Sequence, residues 1–207
     1  MSTSFGAKPA VLRCSRCGSF VDWAGARAQV VCECKPRIDL PPVLVREVAD
    51  SERGAALDLF QRDFGRTGIV AFGQLMDLDA APTLVAEMEG EIGGALAYRL
   101  VEAGLHIVAL ATDPMWQRSG VGGYLVAEAE LLARRLQIPR VLVSMTNDNL
   151  PALYFYQRRG YHVADWIPNG AARYSKESGV PGFGGIPIRD EVRLEKMLDQ
   201  SSVVSRQ

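Results

Sequence analysis

The chain has 207 residues, of which 48% are hydrophobic, and 23 basic residues stand against 24 acidic ones for a formal net charge of -1. That balance excludes a disordered tail, which needs low hydrophobicity and high net charge, and it argues against a protein built to grip nucleic acid or an anionic membrane. No stretch approaches the roughly 20 apolar residues of a membrane helix, and residues 1–10 lack the charged-then-apolar order of a secretory leader, so a cytoplasmic location is expected.

The first feature in chain order is the cysteine segment. All four cysteines of the chain, Cys14, Cys17, Cys32 and Cys34, fall within it, and disulfides are disfavoured in a reducing compartment. Cys14-Ser15-Arg16-Cys17-Gly18 has the form of a zinc knuckle, with a glycine that lets the backbone fold around a metal. Cys32-Glu33-Cys34 supplies two more thiolates. Together they predict one structural Zn2+ in a closed tetrahedral site of four sulfurs; free or redox-active thiols are the other reading. A site of this kind gives a short segment the folding energy that it lacks alone. The segment holds six basic and three acidic residues through Leu40, which makes nucleic acid the weakest of its partner classes, behind a docked protein or a brace for the rest of the chain. Pro36, Pro41 and Pro42 mark a stiff connector. The expected domains are therefore a zinc-ribbon-like module over 1–40 and a larger domain over 41–207.

In the larger domain, 43–48 has strand character. Asp50 or Ser51 is placed to cap a helix over 52–64, with Leu57, Phe60 and Phe64 on one face. Residues 83–89 and 93–101 predict strands joined by a tight turn near Gly90, and 105–112 a more apolar third strand. Leu125, Ala129, Leu132 and Leu136 recur at helical spacing and predict an amphipathic helix over 122–137. A strand over 140–146, a short helix over 150–159 closed by Gly160, and a strand over 161–167 follow. Residues 168–187 are rich in Gly and Pro and read as a loop, and 188–198 is ambiguous between strand and helix. A meander of strands followed by alternating helices and strands predicts an α/β (α+β) domain, with helices on the faces of a mixed, mostly antiparallel sheet.

The most informative segment runs from Ala111 to Gly123. A strand ends, Pro114 breaks it, and glycines open a helix. Backbone N–H groups at such a turn find no intrahelical partner, and with the helix dipole they favour phosphate. Arg118 adds a charge-assisted donor. No Gly-Lys-Ser/Thr follows, so this is not a P-loop, and Leu125 stands where a dinucleotide fingerprint needs its third glycine. A glycine-rich helix start without a ligand is the bland alternative.

Here the sequence resembles the GNAT-type acyl-CoA N-acetyltransferases. Gln117-Arg118-Ser119-Gly120-Val121-Gly122 matches the family's Gln/Arg-x-x-Gly-x-Gly/Ala acyl-CoA motif, and Leu110-Ala111-Thr112-Asp113-Pro114 the strand before it. Asn149-Leu150-Pro151-Ala152-Leu153-Tyr154-Phe155-Tyr156-Gln157-Arg158-Arg159-Gly160-Tyr161 matches a second family signature, Asn-x-x-Ala-x-x-Phe/Leu-Tyr-x-x-x-Gly-Phe/Tyr. The likeness covers about 43–198 and not the cysteine segment. The stretch from Gly185 to Leu194 is similar to a C-terminal pattern in a subset of bacterial members, where it precedes the final strand.

The resemblance implies the GNAT fold and transfer of acetyl from acetyl-CoA to a primary amine, of a small molecule or a protein, by direct attack in a ternary complex. It places the coenzyme pyrophosphate on the backbone of Arg118, Ser119, Gly120, Val121, Gly122 and Gly123, beside Gln117, and the pantetheine arm along Leu110, Ala111 and Thr112. Asn149 stands where the family often contacts that arm; a helix cap is its other role. Tyr156 matches the tyrosine that protonates the departing thiolate, its alternative being a buried ring packed on Ala152. His106 occupies the position where some members carry a catalytic glutamate, which makes it a candidate base; a satisfied strand histidine, with water relaying the proton, is the alternative. Glu89 and Glu102 are weaker candidates, and His162 reads as structural. The acceptor pocket is expected between 60–78 and 168–187. Trp116 and Trp166 are either its flanks or packing residues. The implied partners are an acyl-CoA, an amine acceptor, a protein bound through the zinc segment, and a second copy of the chain in a homodimer. A rival reading keeps the fold as a catalytically weak acyl-CoA-binding regulatory module.

Overall fold

The computed structural model describes residues 12–13, 20–21, 42–65, 68–102, 104–117, 119–171 and 180–199. The chain divides into two units, residues 1–41 and 42–207. In the first unit β1 (Leu12–Arg13) pairs antiparallel with β2 (Phe20–Val21), Leu12 opposite Val21. Cys14, Cys17, Cys32 and Cys34 lie outside the described residues, and Arg118 does too.

The second unit begins with β3 (Leu44–Glu47) and a 3-10 turn (Asp50–Glu52) that leads into α1 (Arg53–Phe64). The expected Asp50 or Ser51 cap is not used. Glu52 precedes the helix, and its carboxylate is held by Arg46 at 2.7 Å. Gly65, left-handed at φ 67°, closes α1 by donating its N–H to the Gln61 carbonyl, a conformation that costs glycine little. A hairpin follows where the sequence predicts no strand: β4 (Gly68–Ala71) and β5 (Gln74–Asp77), joined at Phe72-Gly73. Then come β6 (Thr83–Met88), β7 (Glu91–Val101), β8 (Gly104–Thr112), α2 (Val121–Arg135), β9 (Arg140–Thr146), α3 (Leu150–Gln157), β10 (His162–Ile167) and β11 (Glu191–Met197).

Seven strands form one sheet in the order β10-β11-β9-β8-β7-β6-β3. Every neighbouring pair is antiparallel except β8 and β9. The ambiguous segment at the C-terminus resolves as β11, inserted between β9 and β10. Its alternation decides the outcome: Val192 and Leu194 enter the core while Arg193 and Glu195 take the other face.

Two apolar layers clothe the sheet. Leu96, Leu105, Ile107, Val141, Val143, Val192 and Leu194 pack with Val121, Leu125, Val126, Ala129 and Ala133 of α2 and with Tyr156 of α3. On the opposite face Val85, Ala95, Ala97, Val108, Ala109 and Ala111 pack beneath Ala56, Leu59 and Phe60 of α1 and beneath the β4–β5 hairpin. Gly94 lets α2 approach: a Cβ there would stand 2.8 Å from Val121 and 3.0 Å from Leu125. Among the described residues no helix is long and apolar enough to cross a membrane.

Candidate active site

The site begins where two parallel strands part. β8 pairs with β9 from Leu105–Val141 through Ile107–Val143 and no further, although β8 runs on to Thr112 and β9 to Thr146. The other edge of β8 stays paired with β7 as far as Thr112–Gly94. The backbone of Leu110, Ala111 and Thr112 therefore borders a gap on the β9 side. At the gap's apex the β7–β8 register shifts, because Ala97 faces Ala109 while Tyr98 faces Ile107. Val108 is the extra residue, and both Val108 and Ala109 join the α1-side core. Such a bulge re-aims backbone groups.

Past β8, the Asp113 carboxylate accepts the Met115 N–H at 2.9 Å and meets Arg62 of α1 at 2.6 Å, which pins the strand end. The Gln117 amide lies 3.4 Å from the Thr112 carbonyl. Ser119 donates from its hydroxyl and its backbone to the Trp116 carbonyl. Gly120 caps α2 with φ 104°, and the N–H groups of Gly123 and Tyr124 return to its carbonyl. The N–H groups of Gly120, Val121 and Gly122 find no backbone acceptor among the described residues, as expected of a helix start.

A cavity of about 470 Å³ continues from this turn between α2 and β11, lined by Ser119, Gly120, Gly123, Tyr124, Arg159 and Lys196 among others. Its Lys196 is neutralised by the buried Glu130, at 2.7 and 2.9 Å. Arg159 stacks on the Phe155 ring at 3.7 Å, and its Nη1 donates to the Phe155 carbonyl.

Asn149 caps α3, accepting the Ala152 N–H at 3.1 Å, so the cap reading holds and its amide nitrogen is left for other contacts. Tyr156 is buried on the α2–α3 side of the sheet, edge-on to Phe155 at 5.0 Å and to Tyr161 at 5.2 Å. Burial pushes its phenol well above the ordinary tyrosine range, which keeps the hydroxyl protonated at neutral pH.

His106 lies on the other face. It is 9% exposed, its ring stacked on Phe72 at 3.9 Å and 23°, and its Nδ1 is buried with no hydrogen-bond partner among the described residues. Burial lowers its pKa to about 4, and the charges of Arg99, Arg193 and Arg140 add to the effect. The imidazole is thus neutral across the physiological range. Phe72 holds φ 54° at the hairpin tip, a conformation uncommon for a bulky side chain. Arg193 stands 5.7 Å from the Phe72 ring, and its guanidinium is fixed by Glu191, which also accepts from Ser144 at 2.8 Å. Tyr156 and His106 therefore lie on opposite faces of the sheet.

The remaining candidates are not gathered there. Glu89 and Glu102 lie exposed in the turns after β6 and β7. His162 sits on the exposed edge strand, 3.3 Å from Glu195. Trp116 packs in the α2-side core rather than on the acceptor face. Trp166 donates to Asp190 at 3.1 Å. Of the two segments expected to line the acceptor pocket, 60–78 supplies Phe72, whereas 172–179 lies outside the described residues. Residues 182–190 are strapped to the β9–α3 turn: the Asn147 side-chain oxygen Oδ1 accepts the N–H groups of Arg189 and Asp190, and the Asp148 carboxylate that of Phe183. Phe72, Arg193, Asn147 and Arg159 were not singled out from the sequence. Arg159 stands inside the second quoted motif, and the unusual Phe72-Gly73 pair was the available sign of a hairpin.

Comparison with known proteins agrees with this architecture. The sequence model of the Acetyltransferase (GNAT) family matches residues 47–161. The uncharacterized protein YdhI of Bacillus subtilis (strain 168) is 32% identical over 146 residues, which is 69% of this chain and 90% of that one. Among solved structures, an IAA acetyltransferase from Bacillus cereus ATCC 14579 superposes with TM-score 0.60 at 19% identity, over 76% of this chain and 100% of the other. A Bacillus subtilis acetyltransferase in complex with CoA gives TM-score 0.58 at 21% identity, over 78% and 100%. The chain belongs to the acetyltransferase (GNAT) family and is an acyl-CoA-dependent N-acyltransferase.

Proposed function

We propose that the chain transfers acetyl from acetyl-CoA to a primary amine, of a small molecule or a protein, by direct attack of the amine on the thioester in a ternary complex. The observation that carries this reading is the gap between β8 and β9, bordered by the backbone of 110–112 and leading to a glycine turn that opens a helix. The pantetheine arm fits there as an added strand along Leu110, Ala111 and Thr112. The pyrophosphate goes to the backbone of Arg118, Ser119, Gly120, Val121, Gly122 and Gly123, with Gln117 and the free amide of Asn149 alongside.

In the reaction the amine nitrogen bonds to the carbonyl carbon and the carbon–sulfur bond breaks. Backbone N–H groups at the Val108 bulge are assigned to stabilise the oxyanion. Tyr156, kept protonated by burial, is assigned as the acid that gives its proton to the departing thiolate. The amine's proton leaves on the acceptor side. His106 is the candidate base there, but an imidazole with a pKa of about 4 holds protons weakly, so it serves best by accepting a hydrogen bond from a water that carries the proton away.

Residues 1–40 are assigned as a separate zinc-ribbon-like module and 41–207 as the acyltransferase domain. The support is the four-cysteine set and the proline-rich connector. One structural Zn2+ bound by Cys14, Cys17, Cys32 and Cys34, a protein partner for that module, a homodimer and a cytoplasmic location complete the proposal. Calorimetric titration with acetyl-CoA tests its centre. Saturable one-to-one binding that is lost in Gly120→Glu, together with CoA release on adding an amine panel, is the expected outcome. A folded chain that binds no acyl-CoA refutes it.

A further inference from the structure

Two buried polar atoms stand unmatched on the face of the sheet that His106 occupies. They belong to residues directly opposite each other on neighbouring strands, Arg99 of β7 and His106 of β8. Arg99 Nε and His106 Nδ1 are both buried, and neither has a hydrogen-bond partner among the described residues. Opposite residues of an antiparallel pair share a face and lie in reach of one another. A single buried donor left unmade is costly, and two side by side are what one bound acceptor group would complete.

The charge on this face is unbalanced in the same place. The β4–β5 hairpin holds one end of the Arg99 guanidinium: Nη1 donates to Gln74 Oε1 at 2.7 Å and lies 3.8 Å from the Met76 sulfur. The Nε–Nη2 edge makes no such bond among the described residues, and no carboxylate pairs with Arg99 there. The neighbouring cations are answered. Arg193 meets Glu191 at 2.8 Å, and Arg140 meets Glu195 at 3.2 Å. One positive charge is therefore left over, on a guanidinium already oriented by its other end. Its open edge carries two parallel N–H groups, the fork that a carboxylate matches with both oxygens.

On the acyl-transfer reading above, we infer that the amine acceptor is a small molecule carrying a carboxylate, which Arg99 binds on its Nε–Nη2 edge while His106 donates to it from Nδ1. The spacing suits a short aliphatic chain. The Val108 bulge, to which the oxyanion is assigned, lies two residues beyond His106, about 7 Å along the strand. A neutral imidazole with its proton on Nδ1 keeps Nε2 as an acceptor. The same ring then anchors the carboxylate on one side and takes the hydrogen bond of the proton-carrying water on the other.

The test is steady-state acetylation of glycine, β-alanine and γ-aminobutyrate, each against its own carboxamide, by the wild type, Arg99→Gln and Arg99→Lys at saturating acetyl-CoA. Rates are counted per unprotonated amine, so that differences in amine basicity cancel. The wild type should favour at least one acid over its amide by about 10- to 100-fold in kcat/KM, the size of a charge-assisted contact. Arg99→Gln should abolish that preference, chiefly through the KM of the acid, and Arg99→Lys should keep part of it. A residue that only braced the hairpin would lower acids and amides alike, so equal losses overturn the proposal. A wild type without preference for any acid overturns it too, as does one that binds acetyl-CoA and acetylates neither series. A chain that binds no acetyl-CoA overturns the acyl-transfer reading itself. Should Arg99→Gln fail to fold, the wild-type preference and Arg99→Lys carry the same comparison.

Discussion

Acid should expose His106. In the folded chain its pKa is lowered to about 4 from an ordinary 6.5, chiefly by burial under Phe72 and next by Arg99, Arg193 and Arg140, none of which titrates in this range. Below pH 6.5 the unfolded chain takes up a proton that the folded chain refuses, so stability falls with pH from about 6.5 and the loss saturates below about 4. Above pH 6.5 this histidine makes no pH-dependent contribution. From that displacement the loss is about 2 kcal/mol at pH 5 and roughly 3 kcal/mol near pH 4. The perturbation is His106→Phe, which keeps a ring against Phe72 and removes the titration. Urea unfolding of both proteins between pH 7.5 and 4 gives the difference, in which the depressed carboxyls of Asp113 and Asp190 cancel. The wild type should lose stability faster by the stated amount. Parallel curves, or a His106 imidazole resonance that titrates near 6.5, would refute the burial argument.

Tyr156→Phe removes the proposed acid and leaves the ring packed, so kcat should fall about 10²- to 10⁴-fold with little change in the KM for acetyl-CoA; an unchanged kcat removes Tyr156 from the chemistry. Gly94→Ala drives a methyl into Val121 and Leu125 and should cost about 1–3 kcal/mol in thermal unfolding, with weaker coenzyme binding as the start of α2 shifts. Elemental analysis of reduced, freshly purified protein should find one zinc per chain, and substitution of Cys17 by Ser should release it; a stoichiometry near zero ends the zinc assignment.

The α2 helix was legible because Leu125 and Ala129 recur on one face and the glycines at 120, 122 and 123 mark its start, and both signals are local. The α3 helix was legible from Asn149 and Gly160 for the same reason. What escaped was set by partners distant in sequence. Residues 68–77 carry two four-residue strands joined by Phe72-Gly73, which lacks the asparagine that usually announces such a turn; the strain at Phe72 is met by its stack on His106, 34 positions away. The C-terminal strand was ambiguous because its central residues alternate buried aliphatic with charged side chains, and those charges are satisfied by Ser144, Glu130 and Arg140 on other elements. The candidate site shows the same division. Its glycine turn and tyrosine stood in motifs, whereas Arg193, Asn147 and Arg159 have roles only in three dimensions.

The gap that makes the site lies between two strands that are each held on the far edge. Beyond Ile107, β8 stays with β7 as far as Thr112, and the bulge at Val108 bends it that way. β9 is held on its other edge by β11 along its whole length, from Arg140–Met197 to Thr146–Glu191. Glu191 anchors the open end of that pairing, since it accepts from Ser144 on β9 and from Arg193 on its own strand. The Asn147 strap adds two backbone bonds just past it. Each strand of the parallel pair thus stays paired with an antiparallel neighbour beyond the point where the two part. Inserting β11 between β9 and β10 does more than complete the sheet: it supports β9 through Thr146, past the point where β9 leaves β8.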